Sequence, residues 1–364
     1  MTPDVLDAVV VGAGFSGLAA LHLLRERGLR VHGVDAAANV GGTWWWHAYP
    51  GSHLDSEGHL YQYFFAEQLF RDWGWSERHP AGYEVQRWLR FAADRLDLRR
   101  HLSLATRVVG ARHDDGAWTL HTERGDVLRA RHLVACTGRL PVEPDLDVSA
   151  FAGEVLRTAD WREDTHDLTG RRVGLVGTTA AAIQLAPTVV EQVAHLTVVA
   201  DGPRDVVPRD NPVYGWMERD AYKAGFETLR DAPPDDAPPA PDRAAMRARL
   251  ADDRLVRLLV PDGAGARPVR DDNWLELFAR GDVDLVERAD VRVVADGLAV
   301  RGGVVGLDVL VVTDEFDAGP PALTRLGVAP DAPGLHHVVA PVDGLTHSFD
   351  LLAQVRETVE AIAG

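Results

Sequence analysis

Residues 4–35 read DVLDAVVVGAGFSGLAALHLLRERGLRVHGVD, and the order of structure in this stretch decides the fold. The β-branched run at residues 5–11 predicts a strand buried on both faces, as strands of a parallel sheet are. Apolar residues recur at helical spacing over residues 18–27 and stop at a glycine, which predicts a helix. Residues 29–34 predict a second strand. A strand, a turn, a helix and a parallel strand in this order are typical of an α/β nucleotide-binding fold.

The turn carries Gly12, Gly14 and Gly17 at the spacing of a dinucleotide-binding motif. The first glycine permits the tight turn, the second lets a pyrophosphate approach the backbone at the helix N-terminus, and the third lets helix and strand pack closely. Asp35 ends the second strand, where a carboxylate can accept a hydrogen bond from an adenosine ribose. Because the motif follows a strand, opens a helix and has this acidic partner, it predicts a dinucleotide site rather than only a tight turn.

A second unit of the same kind begins at Arg171 with RRVGLVG, continues with TTAAAIQLAPTVVEQV and ends with HLTVVA. These segments again predict a strand, a helix and a strand. The expected fold class is therefore α/β, with two Rossmann-like dinucleotide-binding domains.

The domain division follows from these two units. We expect residues 1–150 and 314–364 to form the first domain, and residues 165–313 to form a second domain inserted into it. Within the second domain, residues 211–260 are expected to form a loop and helical insert on the substrate side. Prolines and aspartates crowd residues 231–242, DAPPDDAPPAPD, which cannot pack a core and predict a loop or linker.

Composition narrows the classes of function. The 364 residues are 46% hydrophobic and 26% charged, with a formal net charge of −17. A surface this acidic repels nucleic acid and anionic lipid, so we expect neither a nucleic-acid partner nor a membrane surface. No apolar run approaches the roughly 20 residues of a membrane-spanning helix, and no basic region precedes an apolar one at the start. These features predict a globular protein in the cytoplasm.

Two residue types are nearly absent. Lys223 is the only lysine, and no Gly-Lys-[Ser/Thr] tripeptide exists, so a Walker A phosphate loop is excluded. Cys136 is the only cysteine, which excludes an internal disulfide, a redox-active cysteine pair and a zinc site with two or more cysteines. His336 and His337 are adjacent on a predicted strand and point to opposite faces, so we expect no metal site.

The segment from Gly41, GGTWWWHAYPGSHLDSEGHLYQYFF, resembles the corresponding segment of type I Baeyer–Villiger monooxygenases, which are class B flavoproteins. Ala135-Cys-Thr-Gly138 occupies the place of that family's first Ala-Thr-Gly. The resemblance implies FAD at the first glycine motif, an inserted NADPH domain and oxygenation of a small or medium organic molecule. The matching positions in the first segment are Gly41, Gly42, Thr43, Trp44, Trp46, Tyr49, Pro50, Gly51, Asp55, Glu57 and Tyr61.

Motif and resemblance together nominate the site residues. Arg267 matches the family's catalytic arginine, which supports negative charge at the flavin, and Asp55 matches the aspartate that orients it. A structural ion pair is the alternative for these two. His53 replaces an arginine often found two residues before the aspartate and can act as an acid–base group near neutral pH. The predicted FAD-binding residues are Gly12, Gly14, Phe15, Ser16, Gly17, Asp35, Gly42, Thr43, Trp44, Asp55, Tyr61, Thr137, Gly138 and Gln354.

The second glycine motif departs from the family pattern. Thr179 stands at its second glycine, where the pyrophosphate needs space, and this overpacking costs roughly 1–3 kcal/mol. Asp201 stands where the family has an arginine for the NADPH 2′-phosphate. A unit charge pair at about 4 Å and an effective dielectric near 20 is worth about 4 kcal/mol before screening. Ala266 stands at the place of a second phosphate-binding lysine, and Asp314 adds a further negative charge.

The family fingerprint between the two domains is also altered, because Arg157 stands at its histidine and Arg162 at its last position. Summed at about 3–5 kcal/mol, the changes in the second motif predict NADPH binding weakened on the order of a hundred- to several-thousand-fold. We therefore expect a vestigial NADPH-like domain and NADPH binding that is lost or weak.

Three hypotheses follow. The first is a FAD-dependent oxidoreductase for a small or medium organic molecule, such as a secondary metabolite, whose electrons come from the substrate or from a separate flavin reductase. The second is a redox-neutral cyclase, isomerase or dehydratase on a flavoprotein scaffold, with FAD structural or absent. The third is a non-catalytic binding protein, which the many flavin-facing motifs make the weakest.

Overall fold

The computed structural model describes residues 4–138, 141–142, 146–162, 166–235, 237–263, 267–316, 326, 328–339 and 347–364. The helices are α1 (Phe15–Glu26), α2 (Thr43–Trp46), α3 (Glu67–Asp72), α4 (Gly82–Arg95), α5 (Ala180–Val189), α6 (Trp216–Ala224), α7 (Phe226–Asp231), α8 (Arg243–Ala248), α9 (Asp253–Leu259) and α10 (His347–Ala363).

The strands run from one end of the chain to the other between these helices. They are β1 (Val5–Val11), β2 (Val31–Val34), β3 (Leu102–Ser103), β4 (Val108–Asp114), β5 (Ala117–Thr122), β6 (Val127–Ala135), β7 (Pro141–Val142), β8 (Glu154–Arg157), β9 (Arg172–Val176), β10 (His195–Ala200), β11 (Val206–Val207), β12 (Val269–Arg270), β13 (Val283–Glu287), β14 (Arg292–Val294), β15 (Gly297–Val300), β16 (Gly303–Gly306), β17 (Val309–Val312), β18 (Glu315–Phe316) and β19 (Leu335–His337).

The first sheet has the order β3-β2-β1-β6-β5-β4, with β19 paired to β6 as well. Strands β3, β2, β1, β6 and β19 are mutually parallel, whereas β4, β5 and β6 form an antiparallel meander. The long strand β6 holds β5 beside its first half and β19 beside its second half, on the same edge. Helix α10 packs against α1 and so covers this sheet from the carboxyl end of the chain.

The second sheet has the order β13-β10-β9-β17-β8 and its strands are all parallel. An antiparallel three-stranded sheet, β14-β15-β16, is inserted in the sequence between β13 and β17 of this sheet. Each of the two large sheets has its own hydrophobic core, so the predicted α/β class with two Rossmann-like halves is confirmed. The predicted insert contains α6 to α9, while the exact domain limits stay a prediction.

Helix α5 of the second half packs directly on a loop of the first half. A Cβ placed on Gly51, whose φ is +83°, would lie 2.2 Å from the backbone oxygen of Gln184 on α5. The Gln184 side chain accepts a hydrogen bond from the Tyr49 hydroxyl at 2.8 Å. Its amide nitrogen donates to the His53 carbonyl at 3.4 Å. The loop around Gly51 therefore has no room for a side chain between the two halves.

Two negative findings concern the described ranges only. No helix there is both long enough and apolar enough to cross a membrane. No group of three or more His, Cys, Asp or Glu side chains there could hold a metal ion. His336 instead faces His132 of the neighbouring strand, with ring nitrogens 3.1 Å apart.

Gly51→Ala should destabilise the protein more than Gly116→Ala. Both glycines have positive φ, +83° and +73°, but a Cβ on Gly116 meets nothing within 4 Å. Both variants incur the left-handed strain of about 1–2 kcal/mol, and only Gly51→Ala adds an overpacking cost of roughly 1–3 kcal/mol. Urea denaturation of the two variants measures the difference in the free energy of unfolding. Equal losses would show that α5 does not press on this loop.

Candidate dinucleotide grooves and active site

We call the surface formed by Gly12 to Gly17, Asp35, Gly42 and Thr137 the first groove. Its glycines are required by close backbone contacts. A Cβ on Gly12 would lie 2.2 Å from the Cys136 carbonyl oxygen, and a Cβ on Gly17 would lie 1.8 Å from the Gly12 oxygen. Gly42 faces the middle glycine, since its Cβ would lie 2.8 Å from the Gly14 Cα. The turn therefore carries no side chain at these positions, as the pyrophosphate-binding turn of this fold requires.

The start of α1 is open to a ligand. Gly14 is its N-cap and has no side chain to accept a hydrogen bond from the first turn. The N–H groups of the first helical residues therefore keep their capacity to bind an anion. These are the residues from Phe15 to Gly17, as the sequence predicts.

Asp35 closes the other end of the first groove. One of its carboxylate oxygens accepts from the Ala13 N–H at 2.5 Å and the other from the Ala37 N–H at 2.7 Å. Burial raises the pKa of Asp35, and these two hydrogen bonds oppose that rise. Each oxygen keeps a second lone pair, so the carboxylate can still accept from a ribose hydroxyl.

Thr137 supplies an independent sign of a ligand at the first groove. Its hydroxyl is buried and has no hydrogen-bond partner among the described residues. A buried hydroxyl without a partner is costly, which points to a partner that belongs to a bound group. The next residue, Gly138, has φ +67° and open space around its Cα. The bare turn, the open helix start and this hydroxyl together fit an FAD.

The aromatic residues of this region pack against one another. The Phe15 ring lies 4.6 Å from the ring centroid of Tyr61, and both side chains are buried. The Trp44 indole donates to the Tyr61 hydroxyl at 3.2 Å. Burial raises the pKa of Tyr61 to about 12, so this phenol stays protonated at neutral pH. Phe15 therefore offers a cofactor its backbone, whereas Trp44 remains half-buried at the surface of the cluster.

The other tryptophans of the GGTW segment have a different contact. The guanidinium of Arg162 lies 4.4 Å from the Trp46 ring centroid and 5.8 Å from that of Trp45. Such cation–π contacts are worth about 0.5–1 kcal/mol at partly exposed sites. Arg162, the altered last position of the fingerprint, thus joins the α2 segment to the segment that leads into the second half.

The predicted catalytic residues Asp55 and His53 lie next to each other. The His53 Nε2 is 4.0 Å from the Asp55 Oδ1, and this oxygen is buried with no hydrogen-bond partner in the described ranges. The two ring nitrogens of His53 face the backbone oxygens of Gly51 at 2.8 Å and Arg270 at 3.1 Å. Burial lowers the pKa of His53, although the Asp55 charge opposes this shift. A neutral ring donates to only one of these two carbonyls. The acid–base role of His53 stays a prediction.

Arg270 is a residue of this site that sequence reasoning did not single out. Its Nε donates to the Asp55 backbone oxygen at 3.1 Å, and its own carbonyl faces His53. Arg267 precedes strand β12 on the same segment and has a buried Nε. The contact of Arg267 with Asp55 that the family resemblance implies stays a prediction. Arg270 lies three residues after Arg267 on the same segment, and this proximity is the sequence signal for it. The family resemblance pointed only to Arg267.

The second groove is formed by Gly177, Thr178, Thr179 and Asp201. Gly177 has φ +107°, close to the +109° of Gly12, so the tight turn is kept. Thr179 is the N-cap of α5, and its hydroxyl accepts from the Ala182 N–H at 3.2 Å. Asp201 accepts from the Thr178 N–H at 2.9 Å and from the Thr178 hydroxyl at 2.7 Å. The helix start that is open in the first groove is closed by a side chain in the second.

Asp314 serves a local structural purpose. Its carboxylate accepts from the Ala159 N–H at 2.9 Å and from the Thr158 hydroxyl at 3.1 Å, at the start of the short helical turn Thr158–Asp160. Burial raises the pKa of Asp314, and the nearby charge of Arg157 is among the effects that lower it. Arg157, which replaces the fingerprint histidine, therefore lies near a buried carboxylate.

Three positions remain to be described: Gln354, Ala266 and Ser348. The Gln354 side chain accepts from the Val339 N–H at 3.1 Å and so fastens α10 to the segment after β19. Its predicted contact with FAD stays a prediction. Ala266 lies outside the described residues. Ser348 lies inside them and donates to the Leu60 carbonyl at 2.8 Å.

The two Rossmann halves and the FAD-compatible first groove define an oxidoreductase that uses dinucleotides. A family profile described as an NAD(P)-binding Rossmann-like domain matches residues 10–73. The acetone monooxygenase (methyl acetate-forming) of Gordonia sp. strain TY-5 is 36% identical over 90% of this chain and 73% of its own length. A Baeyer-Villiger monooxygenase of Pseudooceanicola batsensis is 40% identical over 61% of this chain, which spans 42% of that relative.

Solved structures agree with these relatives. Cyclohexanone monooxygenase with bound epsilon-caprolactone has a TM-score of 0.90 at 27% identity, covering 99% of this chain and 87% of the other. Cyclohexanone monooxygenase from Rhodococcus sp. Phi1 bound to NADP+ has a TM-score of 0.88 at 27% identity, covering 100% and 85%. This chain belongs to the type I Baeyer–Villiger monooxygenase family and is a FAD-dependent, monooxygenase-like oxidoreductase.

Thr137→Val should weaken FAD binding without destabilising the apoprotein. The substitution removes a hydroxyl that has no partner in the part of the chain that the structure describes, so we expect only the contact with the cofactor to be lost. One hydrogen bond is worth about 0.5–1.5 kcal/mol, which corresponds to roughly a threefold to tenfold weaker affinity. Titration of apoprotein with FAD, followed by flavin fluorescence, measures the effect.

Thr158→Val is the matched control for this experiment. The Thr158 hydroxyl is fully buried and bonded to Asp314, so its loss should lower the melting temperature and leave FAD affinity unchanged. If Thr137→Val lowers stability in the same way and spares FAD affinity, Thr137 does not contact the cofactor.

Acid should destabilise the fold through two buried histidines. Burial lowers the pKa of His47 and of His79 from the ordinary 6.5 to about 4. Below pH 6.5 the unfolded chain binds protons that the folded chain excludes, so the free energy of unfolding falls as the pH drops from 6.5 to 4. His47→Gln and His79→Gln should each make this fall shallower by on the order of 3 kcal/mol. Denaturant unfolding at pH 7 and pH 4.5 measures this fall in the free energy of unfolding. An equal fall in the variants and in the wild type would contradict the prediction.

Proposed function

We propose that this chain is a FAD-dependent monooxygenase-like oxidoreductase for a small or medium organic molecule whose flavin is not reduced by the enzyme's own NADPH. The electrons would come from the organic substrate, as in an oxidase, or from a separate flavin reductase. The partner is a small-molecule substrate. The absence of nucleic-acid and membrane partners and the cytoplasmic location remain predictions from composition.

The single observation that carries this proposal is the contrast between the two helix starts. Helix α1 has no side-chain cap, whereas the hydroxyl of Thr179 caps α5 by accepting from the Ala182 N–H. A pyrophosphate at α5 must displace this cap, which costs typically about 1 kcal/mol, and must also avoid the Thr179 side chain. Thr179 is 5% exposed and so cannot simply rotate out into solvent.

Charge supports the same proposal. The carboxylate of Asp201 lies at the end of β10, where the adenosine ribose of a dinucleotide binds in this fold. A 2′-phosphate there would meet a negative charge rather than a cation. Several solved relatives bind NADP, among them the steroid monooxygenase whose oxidised form has a TM-score of 0.86 at 27% identity over 98% of this chain and 85% of the other. In this chain the residues that would receive that ligand do not fit a 2′-phosphate.

The first half keeps the residues for flavin chemistry. When bound, FAD supplies the two-electron redox chemistry and the reaction with oxygen. Arg267 would place a permanent cation where negative charge develops, and Asp55 would orient it. His53 and Arg270 hold the Asp55 segment against strand β12, which keeps this carboxylate at a constant position. The buried Oδ1 of Asp55 has no hydrogen-bond partner among the described residues, so it would be free to accept a hydrogen bond from Arg267 or from a bound group.

Anaerobic mixing of the FAD-loaded protein with NADPH tests the proposal. We expect the visible absorbance of the oxidised flavin to remain, because the second groove repels the 2′-phosphate and has a capped helix. Dithionite, which needs no binding site, should bleach the same sample and show that the flavin is reducible. Rapid bleaching by NADPH would refute the proposal.

A restored variant sharpens this test. The triple variant Thr179→Gly, Asp201→Arg and Ala266→Lys removes the cap and returns two cations, so it should bind NADPH on the order of a hundredfold more tightly. Isothermal titration measures this gain. Substrate turnover without oxygen and without a flavin spectral change would instead favour the redox-neutral alternative.

A further inference from the structure

The two grooves of this chain share one detail at the adenosine end. In the first, the Ala13 N–H donates to Asp35, which lies 22 residues later at the end of a strand. In the second, the Thr178 N–H donates to Asp201, which lies 23 residues later at the end of a strand. The residue before each donor is a glycine with φ near +108°, +109° for Gly12 and +107° for Gly177. Asp201 therefore occupies the structural position of Asp35.

A carboxylate at this position distinguishes a free adenosine ribose from a phosphorylated one. It accepts hydrogen bonds from the free hydroxyls of an adenosine ribose, and it repels a phosphate esterified to one of them. We infer that the second groove is selective for a dinucleotide with an unphosphorylated adenosine ribose, the NADH class, and that Asp201 is the selecting residue. This inference rests on the proposed loss of NADPH use and names the ligand class that the same groove accepts.

The geometry leaves Asp201 able to do this. Its Oδ1 receives both hydrogen bonds from Thr178, and its Oδ2 lies toward the tight turn, 3.3 Å from the place of a Cβ on Gly177. The residue as a whole is exposed. One carboxylate oxygen is thus held by the protein, and the other faces the bare turn along which a dinucleotide lies.

Arg204 is the cation that bears on this site. It lies three residues after Asp201, and burial lowers its pKa while the Asp201 charge opposes that shift. The opposite charges of Arg204 and Asp201 therefore interact, so a test of Asp201 needs a variant of Arg204 as a control. Thr179 acts differently, because it obstructs the pyrophosphate that both dinucleotides share. It should weaken NAD+ and NADP+ equally and leave the ratio between them to Asp201.

Isothermal titration of the oxidised FAD-loaded protein with NAD+ and with NADP+ tests the inference as a binding measurement. We expect NAD+ to bind about tenfold or more tightly, because like charges oppose the 2′-phosphate. Asp201→Asn should bring the two affinities within about threefold, since the amide no longer repels the phosphate. Thr179→Gly should strengthen binding of both ligands several-fold and leave their ratio unchanged.

Two controls separate this effect from total charge and from Arg204. Asp220→Asn makes the same charge change at an exposed position on α6 and should leave the ratio unchanged. Arg204→Gln should also leave NAD+ preferred. A larger change of the ratio in Arg204→Gln than in Asp201→Asn would assign the selection to Arg204 and overturn the inference.

The remaining outcomes distinguish the inference from the proposed function. Equal affinities in the wild type, or no binding of either ligand even in Thr179→Gly, would overturn the inference and leave the proposed function standing. Tight NADP+ binding with rapid bleaching by NADPH would overturn both. Preferential NAD+ binding with bleaching by NADH would support the inference and the loss of NADPH use, and it would overturn the proposed electron sources, because the electrons would then enter through this groove.

Discussion

The structure depends on the contact between helix α1 and strand β1 at the first glycine turn. A Cβ on Gly17 would lie 1.8 Å from the Gly12 carbonyl oxygen, which is far inside any van der Waals contact. The helix therefore lies as near the strand as a peptide backbone allows, and its N-terminus is aimed along the edge of the sheet. This closeness brings Asp35, Gly42 and the Cys136–Thr137 segment around one bare stretch of backbone. The FAD-compatible groove follows from that single approach.

The second half repeats this scaffold with different chemistry at the helix start. Gly177 and Asp201 reproduce the turn and the acidic residue at the strand end, whereas Thr179 brings a hydroxyl that caps α5. The cap stabilises the helix without any ligand, and an open helix start needs one. The same fold thus presents an uncapped helix start in one half and a capped helix start in the other, with only a few side chains changed.

Much of the fold could be predicted from the sequence, because glycine spacing and β-branched runs report local geometry. The strand Val5–Val11 and the pairing of Asp35 with the glycine turn follow from such local patterns. Contacts between distant segments could not be predicted. Arg270 reaches Asp55 across 215 positions, and Gln184 reaches Tyr49 across 135. The sequence showed that Asp201 stands where the family has an arginine. Its structural equivalence to Asp35 became clear only from the hydrogen bond that it accepts from Thr178, which sequence spacing alone does not show.

One edge of β6 pairs with both β5 and β19, and this arrangement affects the order in which the chain folds. Strands β8 to β17 of the second sheet come from one continuous stretch, so they can pair as soon as the ribosome has released it. The first sheet lacks β19 until residues 335–337 emerge, and α10 follows later still. During synthesis, the half that begins first is therefore completed last. The nascent chain must keep a ready site beside β6 vacant while the whole second half is translated, which makes that exposed strand edge the vulnerable point for misassembly.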